Sequence, residues 1–284
     1  MFRIRWVRTT FKGTRARMDQ EGQTRYIVYD TESVVDGGLM ARVLYQGEEL
    51  TPEAAIGRYL EGLGDPDAFI PVAFHVPVAI AVARVSSDFR LLDISCLDDP
   101  DFDSREMTRL FWKGVGHYKG AALVDFNGRG FDIPLMTLNA FRFGISCPAY
   151  FADDRFGHRY RYTDKHIDLM DWLTEYGASR IRGGLNLLAK MLGKPGKMDT
   201  SGDQVAGLYE EGKLRQINDY CMHDVLDTYF VFLRTRVLTG ELSIEEEQSL
   251  LDEVGGWLAE KAGEVEALQV YLDNFGIWDP EPFV

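Results

Sequence analysis

A chain of 284 residues, 45% hydrophobic and 27% charged, is long enough to bury a substantial core and has the profile of an ordinary globular protein. Three scattered cysteines (Cys96, Cys147, Cys221) exclude a disulfide framework or a zinc ribbon, and no uncharged apolar run reaches the roughly 18 residues of a membrane span. A net charge of −14 argues against broad binding of a phosphate backbone, but leaves room for a short strand end held through divalent ions.

The charge is unevenly spread. Residues 1–25 carry Arg3, Arg5, Arg8, Lys12, Arg15, Arg17 and Arg25 against Asp19 and Glu21, which predicts a loose basic arm, with Met18 a candidate start. No hydrophobic h-region accompanies these arginines, so the expected location is cytoplasmic. Ordered sequence begins with a strand at Tyr26–Tyr29, followed by a second at Arg42–Gln46 and a short helix capped by Thr51 ahead of Pro52. Strands are expected at Val78–Val85 and Arg90–Cys96, a helix near Ser104–Val115, and an apolar strand at Ala121–Phe126. The turn Asn127-Gly-Arg-Gly then opens a helix at Phe131.

Beyond Tyr160 the pattern is helical: Asp168–Tyr176, Leu185–Leu192, Gln204–Glu211, a long helix from Leu214 to Leu238, and an acidic one from Ser243 to Tyr271. Strands first and helices later predict an α/β fold with a mixed central sheet. The expected division is a basic arm (1–25), one main domain (26–240) and an acidic helical extension (241–284).

Three stretches carry chemistry. Asp30-Thr31-Glu32 follows the first strand, where side-chain alternation sends both carboxylates to one face and Thr31 to the other. Two such acids repel unless a cation lies between them, and hard oxygen donors suit Mg²⁺ or Mn²⁺. Asp132 stands where the Asn127–Phe131 turn becomes a helix; Asp125 is a competing acid but lies among apolar neighbours. Tyr220 and Asp224, four apart on the long helix, share a face, so Asp224 can join the cage while the Tyr220 hydroxyl reaches a water beside it. A tyrosine titrating near 10 serves as an orienter and not as a base.

Together, Asp30-Thr-Glu32, Asn127-Gly-Arg-Gly-Phe131-Asp132 and Tyr220-Cys-Met-His-Asp224 resemble the three motifs of the DEDDy 3′-5′ exonucleases, and are most similar to bacterial stand-alone exonucleases resembling the proofreading domain of B-family DNA polymerases. His166-Ile-Asp-Leu-Met-Asp-Trp, Tyr176-Gly-Ala-Ser and Gly196-Lys-Met-Asp199 add to the likeness, which spans about Arg25 to Leu238. Thr31 departs from the bulkier residue common in the polymerase motif.

The resemblance implies a ribonuclease-H-like sheet flanked by helices. It also implies catalysis by Asp30, Glu32, Asp132, Tyr220 and Asp224, two ions held by the four acids, and release of 5′-mononucleotides from single-stranded DNA or RNA 3′ ends. Thr31, Asn127, Arg129, Phe131 and Lys197 are candidate substrate contacts, and Phe126, Tyr150, Phe151 and Tyr176 are candidate base-stacking rings. His223 is expected to point away from Asp224, with Asp227 behind the site. Alternatives are an exoribonuclease of the same mechanism, a non-cleaving binding module on the same fold, or a scaffold docking through Trp278 and Phe283.

Overall fold

Alternation of large side chains along one strand sets the plan of the molecule. In the computed structural model, which describes residues 23–152, 157–198, 202–276 and 278 (except the Asp203 side chain), β1 runs Thr24–Val35. The arm at 1–22, Asp199 and Phe283 lie outside the described residues. Tyr26 packs on Phe232 and Tyr29 on Phe111, so even-numbered residues of β1 face one helical layer and odd-numbered residues the other. Asp30 and Glu32 lie within this strand, not beyond its end as expected.

β1 pairs antiparallel with β2 (His75–Ser86), which pairs antiparallel with β3 (Leu91–Cys96). On its other edge β1 runs parallel to β4 (Ala122–Asp125), and β4 to β5 (His166–Asp168). The order β3-β2-β1-β4-β5 is the ribonuclease-H-like mixed sheet that the motifs implied, among the described residues a sheet of five strands. β5 was not foreseen; three residues, two of them polar, give no strand pattern.

Between β1 and β2 the chain leaves the sheet to build a small lobe. Asp36 caps α1 (Gly37–Leu44) through Leu39 N at 2.8 Å, and Thr51 caps α2 (Pro52–Leu63) as expected. The helices touch so closely that a Cβ on Gly37 would lie 2.2 Å from the Pro52 carbonyl oxygen. Met40, Ala55 and Ile70 form the lobe's own core. The strand expected at Arg42–Gln46 is therefore wrong: the Asp36 cap and the packing of Met40 commit this stretch to helix and turn.

α3 (Ser104–His117) and α4 (Asp132–Phe143) cover the odd face of the sheet. α5 (Leu169–Leu173) is shorter than expected, ending before Glu175 and Tyr176, both at positive φ. α6 (Gly184–Met191) and α7 (Val205–Glu210) flank α8 (Leu214–Thr239), which crosses β1 to β4 on the even face. The run from Val225 to Leu233 is apolar almost all round, the mark of a helix buried on several sides. Its outer side is covered by α9 (Ile244–Lys261) and α10 (Glu266–Asp273). These replace the single helix expected at Ser243–Tyr271; the chain breaks at Gly263.

Candidate active site

One strand and two helices converge at the middle of the sheet. Asp30 and Glu32, even-numbered on β1, face α8, where Tyr220 and Asp224 sit one turn apart. Carboxylate oxygens of Asp30, Glu32 and Asp224 all lie within 4.8 Å of one another. Asp132, at the first turn of α4, stands outside that set and approaches from the opposite face, where the buried Thr31 hydroxyl donates to its Oδ1 at 2.6 Å.

The acids resist ionising together. Burial pushes Asp30 well above the usual carboxylate range, and the charges of Asp132, Asp224 and Glu32 add to it. Glu32 is raised by burial and then by Asp224 and Asp132, with Lys197 opposing. Burial lifts Asp224 to about 6 against the hydrogen bond from Tyr220 and the charge of Lys197. Asp132 rises to about 7 through burial and Asp125, while Thr31 opposes. Burial and the neighbouring acids raise the Tyr220 hydroxyl far above its ordinary value, so it stays protonated and serves as a donor. Oxygen-only donors that repel one another suit a hard divalent cation, which would relieve the repulsion.

The alignment of α8 on the sheet rests on a residue that sequence reasoning missed. The β1–β2 register slips between Glu32 and Ser33, and the Val78 carbonyl at this irregularity accepts from Asn218 Nδ2 at 3.2 Å. Asn218 is fully buried and two residues from Tyr220, so this bond fixes α8 lengthwise against the strand that carries Asp30 and Glu32. Nothing in a lone asparagine announces such a role.

Asp125 is not left among apolar groups. Its Oδ2 accepts from Tyr29 Oη and meets His166 Nε2, each at 2.6 Å, and its Oδ1 accepts from Gly128 N at 3.1 Å. A Cβ on Gly128 would collide with that carboxylate at 2.2 Å, so the turn requires glycine. Asp168 accepts from the amides of Asn127 and Arg129, locking the loop that presents Asp132, with Asn127 at φ 67°. Arg129 spends its Nη2 on the carbonyls of His158, Tyr160 and His166, which ties the loop to the neighbouring segment.

The other candidates divide. Lys197 is exposed, its charge felt by Glu32 and Asp224, its amide held by Asn186 Oδ1 at 2.8 Å. Phe131 packs edge-on against His75 and Phe69. Tyr150 is buried against Trp112, Phe126 packs on the core, Phe151 lies under Arg159, and Tyr176 meets Tyr162; none of these contacts is with the acids. His223 Nε2 donates to the Ala267 carbonyl at 2.7 Å, and Asp227 accepts from Tyr271 Oη at 2.6 Å, joining α8 to α10. Lys194 Nζ seals the same seam, donating to the Gly276 carbonyl at 2.9 Å beside the Phe275 ring.

A mixed sheet here carries converging acids, with a tyrosine one helical turn from one of them. The chain belongs to the family of predicted 3′-5′ exonucleases related to the exonuclease domain of PolB, whose profile matches residues 67–275. That match includes Asp132, Tyr220 and Asp224 as well as α9 and α10, and begins after Asp30 and Glu32. A similar solved structure is the family B DNA polymerase of the hyperthermophilic archaeon Pyrobaculum calidifontis, at 16% identity and a TM-score of 0.48, covering 75% of this chain. The chain spans 24% of that polymerase. No curated protein matches the sequence. Among the described residues, no helix is long and apolar enough to cross a membrane.

Proposed function

We propose that this protein removes 5′-mononucleotides from the 3′ end of single-stranded DNA by hydrolysis. The observation that carries this reading is the set of three carboxylates within 4.8 Å, with Tyr220 one helical turn from Asp224. Asp30, Glu32 and Asp224, with Asp132 reaching in through water, would hold two Mg²⁺ or Mn²⁺ ions, which supply an acidified water and charge neutralisation at the leaving 3′ oxygen. Tyr220, kept protonated by its surroundings, donates towards Asp224 and orients the attacking water for in-line approach. Lys197 offsets the negative charge of the acids and meets the phosphate of the arriving strand. Three free cysteines fit the cytoplasm as the place of action.

The test is incubation with 5′-end-labelled single-stranded DNA and RNA, with Mn²⁺, Mg²⁺ or EDTA. The expected result is a ladder shortening from the 3′ end of DNA only with metal. Labelled oligonucleotide that stays intact under every condition overturns the reading. RNA shortened in preference to DNA corrects the substrate.

A further inference from the structure

Anchored at Ser33 and Phe131, each one residue along the chain from an acid, the structure holds an aromatic group whose outermost ring, Phe69, lies in no motif. Phe69, in the segment leading out of the lobe, is 67% exposed. Its ring stacks on His75 (centroids 5.7 Å apart, planes within 20°) and meets Phe131 edge-on at 5.9 Å. His75 and Phe131 are themselves in edge contact at 6.0 Å. Phe131 immediately precedes Asp132, and His75 is bonded to Ser33, the residue after Glu32.

The group is held rigidly. His75 Nε2 lies 3.1 Å from the Ile70 carbonyl oxygen, which can only accept, so Nε2 carries the hydrogen; Nδ1 then accepts from Ser33 Oγ at 2.9 Å. The His75 carbonyl accepts from Asn139 of α4, and Phe74 O accepts from Asp36 N at 2.7 Å across the neck of the lobe. With both ring nitrogens occupied, His75 is a fixed plane and not a proton carrier. Ile70 is buried in the lobe core, which leaves its neighbour Phe69 turned outward.

We propose that Phe69, backed by His75, stacks on an unpaired nucleobase next to the scissile phosphodiester, so that the lobe formed by α1 and α2 selects a single-stranded 3′ end. An exposed aromatic face against a second fixed ring is the arrangement on which bases of any sequence stack. Duplex DNA, whose bases already stack on one another, has no free base to offer here. This inference rests on the proposed hydrolysis for its meaning, but its test is separable.

The probe is a single-stranded oligonucleotide with 2-aminopurine scanned through its last three positions, bound in EDTA so that nothing is cut. Wild-type protein quenches the fluorescence at one position, and Phe69→Ala removes that quench and weakens binding by roughly 5- to 150-fold, the equivalent of about 1–3 kcal/mol at 1.4 kcal/mol per decade. Phe69→Trp keeps both. With Mn²⁺, Phe69→Ala raises KM and leaves kcat within about twofold, because the acids are untouched. An abasic site at the quenched position weakens wild type but not Phe69→Ala. Quench and affinity unchanged in Phe69→Ala overturn the inference and leave hydrolysis standing. Quench without cleavage in wild type supports it while the hydrolytic reading fails.

Discussion

Thr31 Oγ1 donates to Asp132 Oδ1 at 2.6 Å, so a side chain on the far face of β1 controls the one acid that stands outside the Asp30–Glu32–Asp224 set. The hydrogen bond favours the charged carboxylate, and Asp132 already titrates near 7. Thr31→Val keeps the shape and loses the donor. The Asp132 pKa then rises, and the acid limb of the pH–rate profile moves to higher pH. The measurement is kcat against pH on an oligonucleotide; coincident profiles for mutant and wild type would refute the role given to Thr31.

Asp30→Asn and Asp224→Asn remove a ligand and a repelling charge at once. Hydrolysis falls below detection, and calorimetric titration with Mn²⁺ loses its high-affinity step. The metal-free mutants nonetheless melt no lower than wild type at pH 8. Relief of repulsion raises Tm by about 2–4 °C for each kcal/mol gained. A mutant that keeps more than a few per cent of the wild-type rate would remove that residue from the site.

The metal-free protein loses stability as the solution becomes more alkaline. Asp224 titrates near 6 and Asp132 and Asp227 near 7 in the folded state, against about 4 when unfolded. The folded chain therefore holds more protons between these values, and stability falls as pH climbs from about 4 to about 7, with the raised Asp30 and Glu32 adding to the fall. This is the reverse of the usual sign for acidic residues. Melting curves in EDTA from pH 5 to 8 should show the slope, and Mn²⁺ should flatten most of it. Asp227, engaged with Tyr271 and outside the metal set, keeps a residual slope.

Asn218→Ala leaves the Val78 carbonyl buried without its side-chain donor, a loss of about 1–3 kcal/mol. It also frees α8 to slide against β1. Activity should fall by up to about 10²-fold through misplacement of Tyr220 and Asp224, with Mn²⁺ affinity reduced as well. Denaturant unfolding and steady-state kinetics on the same preparation check both effects. Normal activity in a destabilised mutant would confine Asn218 to packing.

The strands and helices that alternate or repeat cleanly were legible: β2, β3, β4, α3 and α8 fall where side-chain period places them. Asp30 could be paired with Glu32, and Tyr220 with Asp224, because each pair lies on one regular element where spacing fixes the direction of the side chains; joining the pairs rested on their resemblance to the DEDDy motifs. What could not be read depends on contacts distant in sequence. β5 exists because β4 offers it an edge. Asp125 looked isolated because its partners Tyr29 and His166 are 96 and 41 residues away. The hold of Arg129 Nη2 on three carbonyls was equally hidden, because a positive charge in a loop says nothing of the oxygens around it. The lobe was misread at Arg42–Gln46 because five residues do not separate a strand from the last turn of a helix.

The seam that joins Asp227 to Tyr271 also sets a timetable for biosynthesis. The two residues are 44 apart in the chain. At about 5–20 residues per second, a ribosome that has delivered Asp227 needs roughly 2–9 s more to deliver the tyrosine that closes the outer side of α8. During that interval the nascent chain already carries every acid of the candidate site, one of them on a helix whose back is still open to water.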